Sequence, residues 1–180
     1  NQWGAKDSKR LTDKRIIELS DLIRKKYLHS LVAIGPERYN SLYEKMKNLN
    51  RLLAWAHARA LENLLEKQDV PRAVADQFGD ERLIQEALLN KGKTIQLEQR
   101  PRAEDDPAVA AASIMARAEF LRRLEKLSQT SGVTLPKGAS EKVKLSGLEI
   151  LKKGGKEGLI KVAKWHFRTT REILNLSRPR

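Results

Sequence analysis

The chain has 180 residues, enough for one ordinary domain with a real core and too few for two comfortable ones. With 40% hydrophobic and 33% charged residues it reads as globular and not disordered, and no apolar run approaches the ~18–20 residues that span a bilayer. Thirty-six Lys and Arg against 23 Asp and Glu leave +13, and Lys137 to Arg180 holds 12 basic and 4 acidic residues, a local +8 that points to a polyanion, most simply nucleic acid.

The absence of cysteine removes disulfides and thiolate metal sites and agrees with a cytoplasmic protein. Nothing at the start resembles a signal peptide. The basic helices lack a Trp- or Phe-rich apolar face, which argues against a membrane surface. Asn1, and not Met, opens the chain, which reads as a fragment or a processed product.

In chain order, residues 1–10 read as loop. Thr12 caps a first helix whose Ile16, Ile17, Leu19, Leu22, Ile23 and Tyr27 form one stripe. Leu28 to Ile34 is partly β-branched and ended by Gly35-Pro36, which predicts a strand with His29 at its start. Pro36 to Lys47 predicts a short helix with Tyr39, Leu42, Tyr43 and Met46 inward. Asn48 to Asn50 breaks it, and Arg51 to Lys67 predicts a helix buried on a sheet, with Trp55 and His57 at the core or its edge.

Arg72 to Phe78 predicts a strand that brings Asp76 to its carboxyl end, where open α/β sheets collect active-site residues. The same Asp76 also reads as a cap for the next turn. A helix over Glu81 to Asn90 and a strand over Thr94 to Gln99 follow, so the connection is parallel and the fold class α/β. Glu104, Asp105 and Asp106 precede Pro107, which suits the first turn of a helix, with Asp106 at the N-cap. That helix runs to Leu127 and carries Ala110, Ala111, Ala112 and Ser113 as a face of little bulk, with Arg117 one turn on. Acids at the junction and a cation beyond it suit a metal and phosphate site, but on these residues alone an acidic cap before a buried helix is the simpler reading.

Ser128 to Ser140 reads as a loop in which Lys137-Gly138-Ala139-Ser140 offers N–H groups and an ammonium to a phosphate. Glu141 to Lys153 and Lys156 to Leu174 read as two basic helices joined at Gly154-Gly155. Within the second, Lys164-Trp165-His166-Phe167 interleaves cation and aromatic, with His166 able to reach toward the acidic site.

Six stretches, in order, resemble the ribonuclease HII/HIII family, and its bacterial type HIII in particular. They are GAKDSKRLTDK at Gly4 to Lys14, NLNRLLAWAH at Asn48 to His57, and ADQF at Ala75 to Phe78. They continue with RAE-x4-VAAASI-x-AR from Arg102, LPKGAS at Leu135 to Ser140, and AKWHFRTT at Ala163 to Thr170. The resemblance implies a ribonuclease H-like α/β sheet flanked by helices. It makes residues 1–180 a single, partial catalytic domain with 137–180 as its basic helical subregion. It implies endonucleolytic cleavage of the RNA strand of RNA–DNA hybrids by a monomer, with two divalent ions, Mg²⁺ or Mn²⁺, held by four carboxylates. Asp76 and Glu104 match the third and fourth of these acids. Lys9 and Arg117 match basic positions near the substrate backbone, and Lys137 and His166 match positions near the site. The first two acids belong to an Asp-Glu pair upstream of the DSK motif, so these 180 residues carry half the set and are expected to cleave weakly or not at all. Thr169 stands where the family usually has Asn, and Lys144 where an acid is common. The competing reading is a catalytically inactive relative that binds RNA or hybrid.

Overall fold

The computed structural model describes residues 11–177. They form two compact units: residues 11–33 with 48–120, and residues 34–47 with 121–177.

In the first unit, α1 (Asp13–Lys26) starts where Thr12 predicts it, with the threonine side chain accepting from the Arg15 amide. Ile16, Leu19 and Ile23 are buried, whereas Leu22 and Tyr27 of the expected stripe are exposed. Helix α3 (Leu49–Leu65) begins two residues before the expected Arg51, because the Asn48 side chain caps the Arg51 amide. Its Leu52, Ala54, Ala58 and Leu65 are buried, Trp55 is half-buried and His57 is exposed.

Strands β1 (Arg72–Asp76) and β2 (Gln96–Arg100) pair in parallel, as the strand–helix–strand pattern predicts. Between them lie α4 (Arg82–Ala87), shorter than the expected Glu81 to Asn90, and a 3-10 turn at Gly92–Thr94. Glu62, buried on α3, closes this connection: its Oε1 accepts from the amides of Leu89 (2.6 Å) and Gly92 (2.9 Å). A Cβ on Gly92 would fall 2.6 Å from that oxygen, so the carboxylate and the glycine fit each other.

Helix α5 (Pro107–Ser131) has Pro107 in its first turn, and Asp106 Oδ1 accepts from Ala108 N (2.8 Å) and Val109 N (3.4 Å). It runs four residues past the expected Leu127. The alanine run does not make one face: Ala110 is buried, Ala111 half-buried, and Ala112 and Ser113 exposed. Consecutive residues step about 100° around a helix, so four in a row sweep past every side. The buried stripe is Ala110, Ile114 and Ala118 at i, i+4, i+8, with Met115 beside it.

In the second unit, α2 (Pro36–Met46) buries Tyr39 and Leu42. Helix α6 (Glu141–Val162) is broken at Gly155, whose φ of 60° and ψ of −160° interrupt the helical backbone at the predicted glycine pair. Helix α7 (Arg168–Leu176) packs on α6, with Ile173 lying against Gly147 so closely that a Cβ there would overlap its Cδ1. Val133, Ile150, Leu159 and Ile173 form the core. Two expectations fail. Residues 28–34 are irregular and not a strand, because β-branched content without a neighbouring strand forms no ladder. Residues 163–167 leave the helix expected through Leu174, because Asn40 from α2 takes up their backbone groups. Among the described residues no helix is long and apolar enough to cross a membrane.

Candidate metal and nucleic-acid site

The parallel register sets Asp76 opposite Arg100, each the last residue of its strand. The chain then extends the pairing by one bond, Gln77 N–H to the Arg100 carbonyl at 3.1 Å. After β2, Arg102 adopts a left-handed conformation (φ 55°, ψ 40°) and turns the chain into a 3-10 turn at Ala103–Asp105. The turn is drawn back onto β1 by Asp76, whose Oδ1 accepts from the buried Ala103 amide at 3.1 Å. Glu104, the next residue, is thereby carried to the end of the sheet where Asp76 lies. Asp76 is exposed and Glu104 half-buried. One hydrogen bond thus ties the strand end that carries Asp76 to the residue before Glu104.

Arg100 was not singled out from sequence, and it braces this turn. Its Nη2 lies 2.7 Å from Asp105 Oδ1 and its Nε 3.1 Å from Glu98 Oε1. The hydrogen bond from Arg100 holds the Asp105 carboxyl below the usual range, and the same bond raises the guanidinium. Asp105 is therefore engaged by its own arginine, while Asp76 and Glu104 are the acids held by the sheet and its turn. The signal for Arg100 in sequence was only a cation at a strand end five residues before an acid.

Beside Asp76, the His57 ring lies tilted against Phe78 with centroids 5.0 Å apart. The protein around the ring lowers its pKa, and the Asp76 carboxylate works against that shift. Arg117 donates through Nη2 to the Leu11 carbonyl (3.1 Å) and to Asp13 Oδ1 (2.9 Å), tying α5 to the start of α1. Lys9 lies outside the described residues.

The other two candidates lie in the second unit. Lys137 is exposed in the loop 132–140. His166 is half-buried in an aromatic cluster: its ring is stacked on Tyr43 at 3.5 Å and 5°, is near-parallel to Tyr39 at 5.7 Å, and meets Phe167 edge-on at 4.7 Å. Its Nδ1 is buried without a hydrogen-bond partner. Burial, then the charges of Lys164 and Arg171, lower its pKa, so near neutral pH it is an uncharged ring and not a cation. Asn40 holds the segment that carries it: Nδ2 donates to the carbonyls of Ile160 (3.3 Å) and Ala163 (3.0 Å), and Oδ1 accepts from Trp165 N at 2.8 Å. Nothing local in the sequence marks Asn40, since its partners lie 120 residues and more away.

Hard carboxylate oxygens at one end of a sheet suit Mg²⁺ or Mn²⁺ better than a soft metal. Among the described residues no group of three or more acidic, His or Cys side chains gathers to hold an ion.

A family model described as Ribonuclease HII matches residues 1–170. The chain is 46% identical over 171 residues to a ribonuclease HIII of Protochlamydia amoebophila, covering 95% of this chain and 57% of that protein. It is 48% identical over 170 residues to a ribonuclease HIII of Chlamydia pneumoniae, with 93% and 57% coverage. In three dimensions it is similar to Bst-RNase HIII, solved in complex with Mn²⁺, at a TM-score of 0.90 and 30% identity over 99% of this chain and 60% of that one. The chain spans a little over half the length of these relatives.

Proposed function

The chain belongs to the ribonuclease HII family, and from that premise we propose that it is the carboxyl-terminal part of a type HIII enzyme that cleaves the RNA strand of RNA–DNA hybrids. The observation that supports this reading is the hydrogen bond from Ala103 N to Asp76, which ties the turn that carries Glu104 to the strand end that carries Asp76. Asp76 and Glu104 are the metal ligands, two of four carboxylates, with the other two supplied from outside these 180 residues. Mg²⁺ or Mn²⁺ bound there supplies Lewis-acid activation of water and charge stabilisation at the leaving oxygen. The Mn²⁺ complex of Bst-RNase HIII supports a divalent ion in this role.

Lys9, Arg117, Lys137 and His166 are the substrate contacts in this reading, on the strength of the family motifs they occupy. The cation excess of the carboxyl-terminal quarter provides the non-specific phosphate attraction that a hybrid duplex requires. The protein acts as a cytoplasmic monomer. As an isolated piece, these residues bind Mg²⁺ weakly and cleave little, since half the ligand set is elsewhere.

The test is Asp76→Asn and Glu104→Gln in the full-length protein, assayed for metal-dependent cleavage of a hybrid and for circular dichroism. Loss of cleavage in both with unchanged ellipticity supports the assignment; near-normal turnover in both overturns it. The reading as an inactive binder draws on the absence of a three-acid cluster among the described residues. It predicts hybrid binding with no cleavage even in the unsubstituted protein.

A further inference from the structure

Several cations of the second unit are spent internally. Lys144 lies 2.7 Å from Glu141 and 3.1 Å from Glu172, Lys153 lies 2.8 Å from Glu149, and Arg168 lies 2.8 Å from Glu172. Their charge is already compensated, so the net +8 of this region rests on its other cations.

Lys164 is the contrary case. Its ammonium lies 4.7 Å from the Tyr39 ring centroid and 5.0 Å from that of Phe167. No carboxylate among the described residues pairs with it. Ring faces hold a cation in place by their quadrupole without cancelling its charge. The backbone on either side is fixed as well. Asn40 takes the Ala163 carbonyl and the Trp165 amide, and the Lys164 carbonyl accepts from Phe167 N (3.1 Å) and Thr170 Oγ1 (3.0 Å). A lysine usually loses much side-chain freedom when it grips a ligand, and here part of that ordering is already done. Crowding by the surrounding protein also lowers the Lys164 pKa, as expected for an ammonium with no counter-charge.

We propose that Lys164, held between Tyr39 and Phe167, is a backbone-phosphate contact for the nucleic-acid substrate, and that Asn40 is its positioning residue. This rests on the hybrid-cleaving reading and assigns a specific cation to it. A phosphate oxygen approaching the exposed side of the ammonium gains a charge-assisted hydrogen bond while the rings remain behind the cation.

The experiment is hybrid affinity of the full-length protein by fluorescence anisotropy between roughly 50 and 200 mM salt, in Ca²⁺ to suppress turnover. Lys164→Gln is expected to reduce the slope of log K against log salt by about one unit and Lys164→Arg to preserve it. Asn40→Asp keeps the acceptor for Trp165 N but not the donor to Ala163, and is expected to lose part of the same slope with Lys164 intact. Lys144→Gln, which removes a compensated lysine, is expected to leave the slope unchanged. An unchanged slope in Lys164→Gln overturns the proposal while the hybrid-cleaving reading stands. No salt-dependent hybrid binding by the unsubstituted protein overturns both.

Discussion

Asp76 Oδ1 accepts the amide hydrogen of Ala103 at 3.1 Å, across 27 residues of chain, so the side chain proposed to bind metal also anchors the turn that carries the next acid. Replacing the carboxylate therefore has two separable effects. Asp76→Asn keeps an oxygen acceptor and is expected to remain folded while losing more than about 100-fold in cleavage, beyond what an outer-shell change costs. Asp76→Ala loses the acceptor as well and leaves the buried Ala103 amide unpaired, at about 1–3 kcal/mol. Urea unfolding of the two variants checks the separation; equal stability would show that the hydrogen bond contributes nothing.

Glu62 is the principal polar tie in the connection between β1 and β2. Glu62→Ala abandons two amides and is expected to destabilise by about 2–4 kcal/mol, whereas Glu62→Gln keeps an acceptor and costs about 1 kcal/mol. Gly92→Ala should resemble Glu62→Ala, because the added methyl displaces the same carboxylate. Denaturant midpoints for the three variants provide the comparison, and a harmless Gly92→Ala would contradict the packing described.

Two imidazoles bear on pH. The surrounding protein holds the His57 and His166 rings below the ordinary value near 6.5, with Asp76 opposing the shift at His57 and Lys164 and Arg171 adding to it at His166. A base with a depressed folded-state pKa binds fewer protons folded than unfolded. Its contribution is complete above the unfolded value and is lost as pH falls through the folded value. The melting temperature should thus decline from about pH 7 to about pH 5. His166→Phe preserves an aromatic ring against Tyr43 and should flatten part of that decline; a slope indistinguishable from the parent would refute the assignment.

The glycine pair in α6 distinguishes conformation from space. A Cβ at either Gly154 or Gly155 meets nothing within 4 Å. Only Gly155 has positive φ, in a region side chains avoid, so Gly155→Ala is expected to cost about 1–3 kcal/mol. Gly154→Ala should be neutral or stabilising by up to about 1 kcal/mol. Thermal unfolding of both would reveal whether the break is required.

Local chemistry was legible in the sequence where the residues that act are neighbours in it. Thr12, the Asp106–Pro107 pair and the strand–helix–strand order of 72–100 announce themselves through capping and connection rules, and the family motifs single out Asp76 and Glu104 as the proposed ligands. What stayed hidden depends on partners far along the chain. Residues 28–34 have strand-like side chains and no adjacent ladder. Lys164 to Phe167 continue a helical hydrophobic spacing, yet Asn40 captures the backbone that the helix would have used. Glu62 resembles any surface glutamate on an amphipathic helix until the turn at Leu89–Gly92 folds over it.

The rung that pairs Asp76 with Arg100 makes the approach of the two proposed ligands insensitive to how much chain separates them. Residues inserted between Phe78 and Arg82 would lengthen the excursion and return the strand to the same register. A single residue added between Arg100 and Glu104 would instead move Ala103 away from Asp76 and misplace the acid that follows. Length variation on one side of β2 is therefore compatible with the proposed metal site, and on the other side it is not.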